Sequence, residues 1–274
     1  MIRVVVSNQR GGVGKTTTSM CLARHLAGLG KRVLLVDTDP QGTVVAALGL
    51  RPTYYLASFV SHGIVFQECV VKGGHGIDIL CSNRETATSE SSLGGALGRE
   101  LTFRVLFQPV ESQYDAIVFD VAPSISLLQT CAMLYAQRVL IPVDMDPISY
   151  QGAVASYETA LTCNKLFRDT EVRVVGIIPT KYNKALQMTK VMEPSIRSFC
   201  ERTGILLLPP IRQDVSIAKA MKNKMFLEDF DPVCKAIEDY HQAFSLLLPA
   251  LNDISTSTRE EVSGAAVEAE AAQA

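Results

Sequence analysis

A chain of 274 residues is long enough for one large α/β domain or two small ones, and 47% apolar against 20% charged residues, without tryptophan, is a soluble globular composition. No apolar run approaches the ~18 residues of a membrane span, and the opening "MIRVVVSN" lacks the basic-then-apolar order of a signal peptide. The net charge of −2 conceals an asymmetry, because residues 165–224 carry twelve Lys and Arg against five Asp and Glu, leaving the remainder acidic.

In chain order, "IRVVVS" (2–7) reads as a buried strand, followed by a glycine-rich loop and a helix with apolar spacing at Met20, Leu22, Ala23, Leu26 and Leu29. "RVLLVD" (32–37) is a second strand. Residues 50–76 read as a less regular insertion. Further strands follow at "IDILC" (77–81), "AIVFD" (116–120), "RVLIPV" (138–143) and "VRVVGII" (172–178). Residues 184–203 have helical spacing that Pro194 is expected to kink or split, and 232–251 make a last helix. Continuous apolar strands alternating with helices predict an α/β fold: a doubly wound, mostly parallel sheet with helices on both faces. Residues 1–251 then form a single domain. Residues 252–274, with five acids, one arginine and few large apolar groups, are expected to stay disordered. Seven scattered cysteines with no CxxC pair read as buried small hydrophobes in a reducing cytoplasm, and predict neither zinc nor an iron–sulfur cluster.

Ligands of such sheets bind at the carboxyl ends of the strands, which end here at Asn8, Asp37, Asp120 and Asp144. "GGVGKTT" (11–17) stands between a strand and a helix, the setting of a phosphate loop. Gly11, Gly12, Val13 and Gly14 offer backbone N–H groups to phosphate oxygens, and the helix N-terminus adds its dipole. Lys15 is placed to reach the β- and γ-phosphates, the Thr16 hydroxyl to ligate Mg²⁺, and Thr17 to bond the α-phosphate. Asp120, ending an apolar strand beside the loop, needs a cation partner and suits Mg²⁺.

"NQRGGVGKTTT" (8–18) has Gln9 where a standard loop has glycine, and resembles the deviant phosphate loop of the ParA/MinD ATPases, Lys-Gly-Gly-x-Gly-Lys-Thr. "RVLLVDTDPQG" (32–42), "YDAIVFDVAPS" (114–124) and "AQRVLIPVDMDPISYQG" (136–152) resemble the family's other segments in the same order, closest to the ParA branch. The resemblance covers roughly residues 2–250. It implies a P-loop ATPase using ATP and Mg²⁺, slow until a partner stimulates it. Asp39 matches the residue that positions the attacking water near the γ-phosphate, and is also a candidate metal group, whereas Asp37 is a structural or outer-shell group or caps the helix after it.

Arg10 stands where the family has a lysine that reaches across a homodimer to the partner's nucleotide. An arginine keeps the charge and can grip phosphate with two donors, and such fingers are worth roughly 10³–10⁵ in rate. The plainer alternative is that Arg10 faces solvent or its own nucleotide. Near the base, Asn183 matches a family Asp or Asn. Asp214 falls where the family has Pro-Arg-Asn, a departure that leaves it able to accept from an exocyclic amine.

The basic half of the chain offers Lys181, Lys184, Lys190, Arg197, Lys219, Lys222 and Lys224 to DNA phosphates, as the resemblance implies for an ATP-dimerised, nucleoid-associated protein. Otherwise these residues are simply a solvated surface. With no helix-turn-helix before the first strand, sequence-specific binding is not expected. The resulting expectation is a switch that partitions or positions a plasmid, chromosome or protein assembly with a ParB-like or adaptor partner. A MinD-like membrane switch and a synthetase phosphorylating a small carboxylate are the rivals. The acidic tail lacks the basic amphipathic helix that the membrane rival needs.

Overall fold

The computed structural model describes residues 1–95 and 97–252, so the expected tail lies, apart from Asn252, outside the described residues. β1 (Ile2–Val6) leads through the glycine loop into α1 (Lys15–Gly28), then β2 (Val33–Asp37) and α2 (Thr43–Leu48). α3 (Leu56–Ser61) and α4 (Phe66–Cys69) precede a hairpin of β3 (Val70–Gly74) and β4 (Ile77–Leu80). α5 (Glu85–Leu93) and α6 (Thr102–Phe107) follow, then β5 (Ala116–Asp120), α7 (Leu127–Ala136), β6 (Arg138–Asp144) and α8 (Pro147–Leu166). The chain continues through β7 (Arg173–Thr180), α9 (Gln187–Thr203), α10 (Val215–Lys222), α11 (Leu227–Phe230) and α12 (Lys235–Asn252).

The seven strands lie in the order β3-β4-β2-β5-β1-β6-β7, parallel throughout except for the β3–β4 hairpin at one edge. Strand residues alternate between two cores. Val5, Val36, Ile117 and Phe119 face the layer of α7, α8 and α9, through Leu128, Ala153 and Ile196. Val4, Val6, Leu35 and Val118 face the layer of α1 and α12, through Leu22 and Phe244. Burial on both faces is why these strands read as unbroken apolar runs. Six of the seven cysteines are buried and all are free, filling core positions.

Two expectations are corrected. Residues 50–76 are not irregular, since they hold α3, α4 and the edge strand β3, whose "VVKGG" is too short and too glycine-rich to announce itself. Pro194 does not split the helix, because α9 runs unbroken through it. Pro194 is exposed, so the carbonyl of Lys190 that its missing N–H would have bonded can turn to water.

Candidate functional site: the phosphate loop and its carboxylates

Pairing β1 and β2 on either side of β5 brings Val6, Asp37 and Asp120 to one level at the carboxyl end of the sheet. The loop after β1 rises beside them. Gly12 (φ 78°) and Gly14 (φ 88°) take left-handed conformations that side chains resist, the kind of backbone from which anion-binding loops are built. Gly14 caps α1 without any side-chain bond, so the free N–H groups of the helix's first turn stay open to an anion.

Lys15 is buried, and its Nζ donates to the Arg10 carbonyl at 2.9 Å. Burial pushes its pKa down, while Asp120 and Asp39 push it back up. The loop is braced from the far strand as well: the Thr180 hydroxyl donates to the Val13 carbonyl at 2.8 Å. Thr17 is half-buried in the first turn of α1.

Asp120 is buried, and its Oδ1 accepts from the Ser19 hydroxyl at 3.0 Å, while its Oδ2 has no partner among the described residues. Burial raises its pKa to about 6, partly offset by the Thr16 and Ser19 hydroxyls and the Lys15 ammonium. Asp37, its register partner on β2, is raised well above the usual carboxylate range by burial and by Asp120 itself. Two adjacent buried carboxylates with an orphaned oxygen fit a divalent cation, with Thr16 and Asp120 to hold it and Asp39 beside them. Asp37 is occupied otherwise, accepting from the N–H groups of Asp39 (2.9 Å) and of Val44 in the first turn of α2 (3.3 Å). That is a structural role. Asp39 is half-buried and accepts from the Gln41 N–H.

Arg10 is exposed at the rim of the loop, and its guanidinium makes no hydrogen bond or ion pair among the described residues. Farther out, Asn183 Oδ1 accepts from Ala185 N–H, and Asp214 Oδ1 caps α10 by accepting from Ser216 N–H at 2.8 Å. Asn183 Nδ2 and Asp214 Oδ2 make no bond among the described residues.

The seven basic residues do not form one face. Lys190 and Arg197 ride on α9, over one side of the sheet, whereas Lys219 and Lys222 ride on α10, which packs into the opposite core through Ala220. Lys181, the residue directly after β7, is bound to Asp144 at 2.8 Å, and Arg197 lies 3.5 Å from Glu193. Lys184, Lys190, Lys219, Lys222 and Lys224 are exposed without ion pairs among the described residues. The sequence had assigned no part to Ser19, Thr180 or Gly152. Only Gly152 carries a signal, since a glycine inside a helix sacrifices about 1 kcal/mol relative to alanine and so needs a reason.

A strand, a glycine loop, a lysine–threonine pair opening a helix and paired carboxylates on neighbouring strands define a P-loop nucleoside triphosphatase. A family model described as an AAA domain matches residues 1–170. The chromosome-partitioning ATPase Soj of Thermus thermophilus is 32% identical over 227 residues, covering 80% of this chain and 84% of that protein. Among solved structures, an ATP complex of a McdA variant from Cyanothece superposes with a TM-score of 0.79 at 17% identity, covering 92% of this chain and 96% of that one. Cobyrinic acid a,c-diamide synthase from Mycobacterium smegmatis, with an ATP analogue and magnesium, gives 0.78 at 23% identity and the same coverages. The chain belongs to the ParA/MinD family of P-loop ATPases. Within that family it is a ParA-like partition or positioning ATPase.

Proposed function

We propose that this ATPase is a dimerising switch. ATP joins two copies at their phosphate loops, the joined form binds nucleoid DNA without reading its sequence, and hydrolysis releases both. Turnover is slow until a cargo-bound ParB-like or adaptor protein stimulates it. The cargo is a plasmid, a chromosome or a protein assembly, and the name of the Thermus relative, a chromosome-partitioning ATPase, supports the second. The observation that carries the reading is Arg10, an unpaired cation held at the rim of a phosphate site whose own lysine is already buried inside it.

In this reading the Lys15 ammonium leaves the Arg10 carbonyl for the β- and γ-phosphates. The N–H groups of Gly11, Gly12, Val13 and Gly14 surround the phosphates, and the Thr17 hydroxyl bonds the α-phosphate. Thr16, Asp39 and Asp120 would hold Mg²⁺, which would supply neutralisation of phosphate charge. Asp39 orients the water whose oxygen attacks the γ-phosphorus as the bond to the bridging oxygen of ADP breaks. Arg10 of the other copy neutralises charge on the transferring group. Asn183 and Asp214 meet the adenine. The exposed lysines of α10, Lys219 and Lys222, doubled by dimerisation, hold duplex phosphates and displace counterions.

The test is binding to a non-specific DNA duplex in ATP, a slowly hydrolysed analogue, or ADP. Binding only in the ATP-like states, falling steeply with salt, is expected. Absence of binding in every state would overturn the nucleoid reading. Binding to anionic vesicles, or turnover stimulated by a small carboxylate, would then identify which rival replaces it.

A further inference from the structure

Arg10 is held through its backbone by Asn8, and Asn8 is anchored in turn on β6 and α8. Asn8 is fully buried at the end of β1. Its Nδ2 donates to the carbonyls of Pro142 (2.8 Å) and Ser149 (3.2 Å), which fixes the amide plane. The opposite side of that amide, Oδ1, accepts the Arg10 N–H at 2.9 Å. Gln9 is tied to the same helix: its N–H donates to the Gly152 carbonyl at 3.3 Å, and its Nε2 to the Ala155 carbonyl (3.2 Å) and the Thr159 hydroxyl (2.8 Å).

Gly152 is what lets helix and loop come this close. A methyl group there would collide with Asn8 Oδ1 and lie 3.0 Å from both Cβ and N of Arg10. Its nearest neighbours are thus the aiming atom and the aimed residue. Neither can retreat easily, since Asn8 is locked by two carbonyls and Arg10 N is locked by Asn8.

We infer that Asn8, Gln9 and Gly152 form a bracket that aims Arg10 out of its own protomer, making them positioning residues for the phosphate site of a second copy. The inference rests on the trans reading of Arg10 given above. Because Gly152 lies on α8 and both Asn8 and Gln9 bond to that helix, with Asn8 also bonded to Pro142 of β6, a small displacement of α8 against β6 moves the arginine of one protomer relative to the nucleotide of the other. Lys15 is joined to this bracket only through the Arg10 carbonyl, a contact it gives up when phosphates are present.

Mixing full-length variants tests this. Asp39→Ala keeps Arg10 but lacks its own water-positioning group. Arg10→Ala keeps Asp39 but donates no finger. Each alone is expected to turn over poorly, and their mixture to regain ATPase activity, because one site of each mixed dimer combines an intact Asp39 with a donated Arg10. Gly152→Ala is then added to one partner at a time. Placed on the donor (with Asp39→Ala), it is expected to cut the regained activity roughly tenfold or more, since misplacement by about 1 Å can cost up to 10²-fold. Placed on the acceptor (with Arg10→Ala), it is expected to cut it less than about twofold. Gln9→Ala, which removes two bonds to α8 without adding volume, is expected to show the same donor bias more weakly and serves if Gly152→Ala fails to bind ADP. Equal losses in both placements, or none in either, would overturn the bracket. No regained activity in the parent mixture would instead overturn the trans reading beneath it.

Discussion

The phosphate loop and the basic surface carry charge in opposite ways. At the loop, Lys15, Asp37 and Asp120 are buried, each positioned by named partners, and their pKa values are displaced by burial before any neighbour acts. On α9 and α10, Lys190, Lys219 and Lys222 stand in solvent on opposite sides of the sheet. The first arrangement is a site made by geometry, in which one atom out of place undoes the rest. The second is a charge distribution, in which each lysine contributes a similar small increment. The contrast also explains what each region costs the fold: buried carboxylates with an orphaned oxygen destabilise it, whereas exposed lysines are nearly neutral.

Four measurements would break or sharpen that comparison. The largest effect is expected from Lys15→Ala, which removes the buried cation of the phosphate site: turnover should fall by roughly 10²–10³ or more in a steady-state ATPase assay. A fall of less than tenfold would mean that the backbone cradle alone carries the reaction. Next is the double variant Lys219→Ala/Lys222→Ala. If each lysine meets one phosphate, the log–log salt slope of DNA binding should become shallower by about 2, with affinity lowered alike on every sequence. An unchanged slope would move the DNA site to α9.

The third concerns stability. Asp120 titrates near 6 in the metal-free fold against an ordinary carboxylate value near 3.8, so its burial favours folding fully below pH 3.8 and loses that contribution as pH rises through 6. Asp120→Asn should therefore stabilise the nucleotide-free protein at pH 8 by about 1–3 kcal/mol while abolishing activity. The gain should shrink toward pH 4, as read from denaturant unfolding. A gain that is independent of pH would show that packing, not ionisation, is responsible. The smallest effect is reserved for Arg197→Ala, whose half-exposed pair with Glu193 should shift stability by no more than about 0.5 kcal/mol.

Much of the fold was legible because burial on both faces leaves an unbroken apolar trace. The six long-range strands ended close to where the runs ended, and Asp37 and Asp120 stood at their tips. β3 was not legible, since the edge strand "VVKGG" ends on two glycines and leaves two of its five residues exposed, and Pro194 did not split its helix because its exposed position, which the sequence does not display, lets the freed carbonyl turn to water. In the site, the local motif announced Lys15, Thr16 and the glycines. The supports of that motif are another matter. Thr180 reaches Val13 across 167 positions and Asn8 reaches Pro142 across 134, so only the packed sheet brings them together. The basic surface shows the reverse error: sequence spacing collected into one patch lysines that the sheet separates.

The measurement that bears most directly on the switch is the solution mass of the wild-type protein and of Arg10→Ala in ATP analogue with Mg²⁺ and in ADP with Mg²⁺. For a chain of 29.8 kDa, the expected result is a wild type of about twice that mass in the analogue, the single mass in ADP, and an Arg10→Ala variant that stays at the single mass or dimerises only weakly. A wild type at the single mass in both nucleotides would contradict the account at its centre.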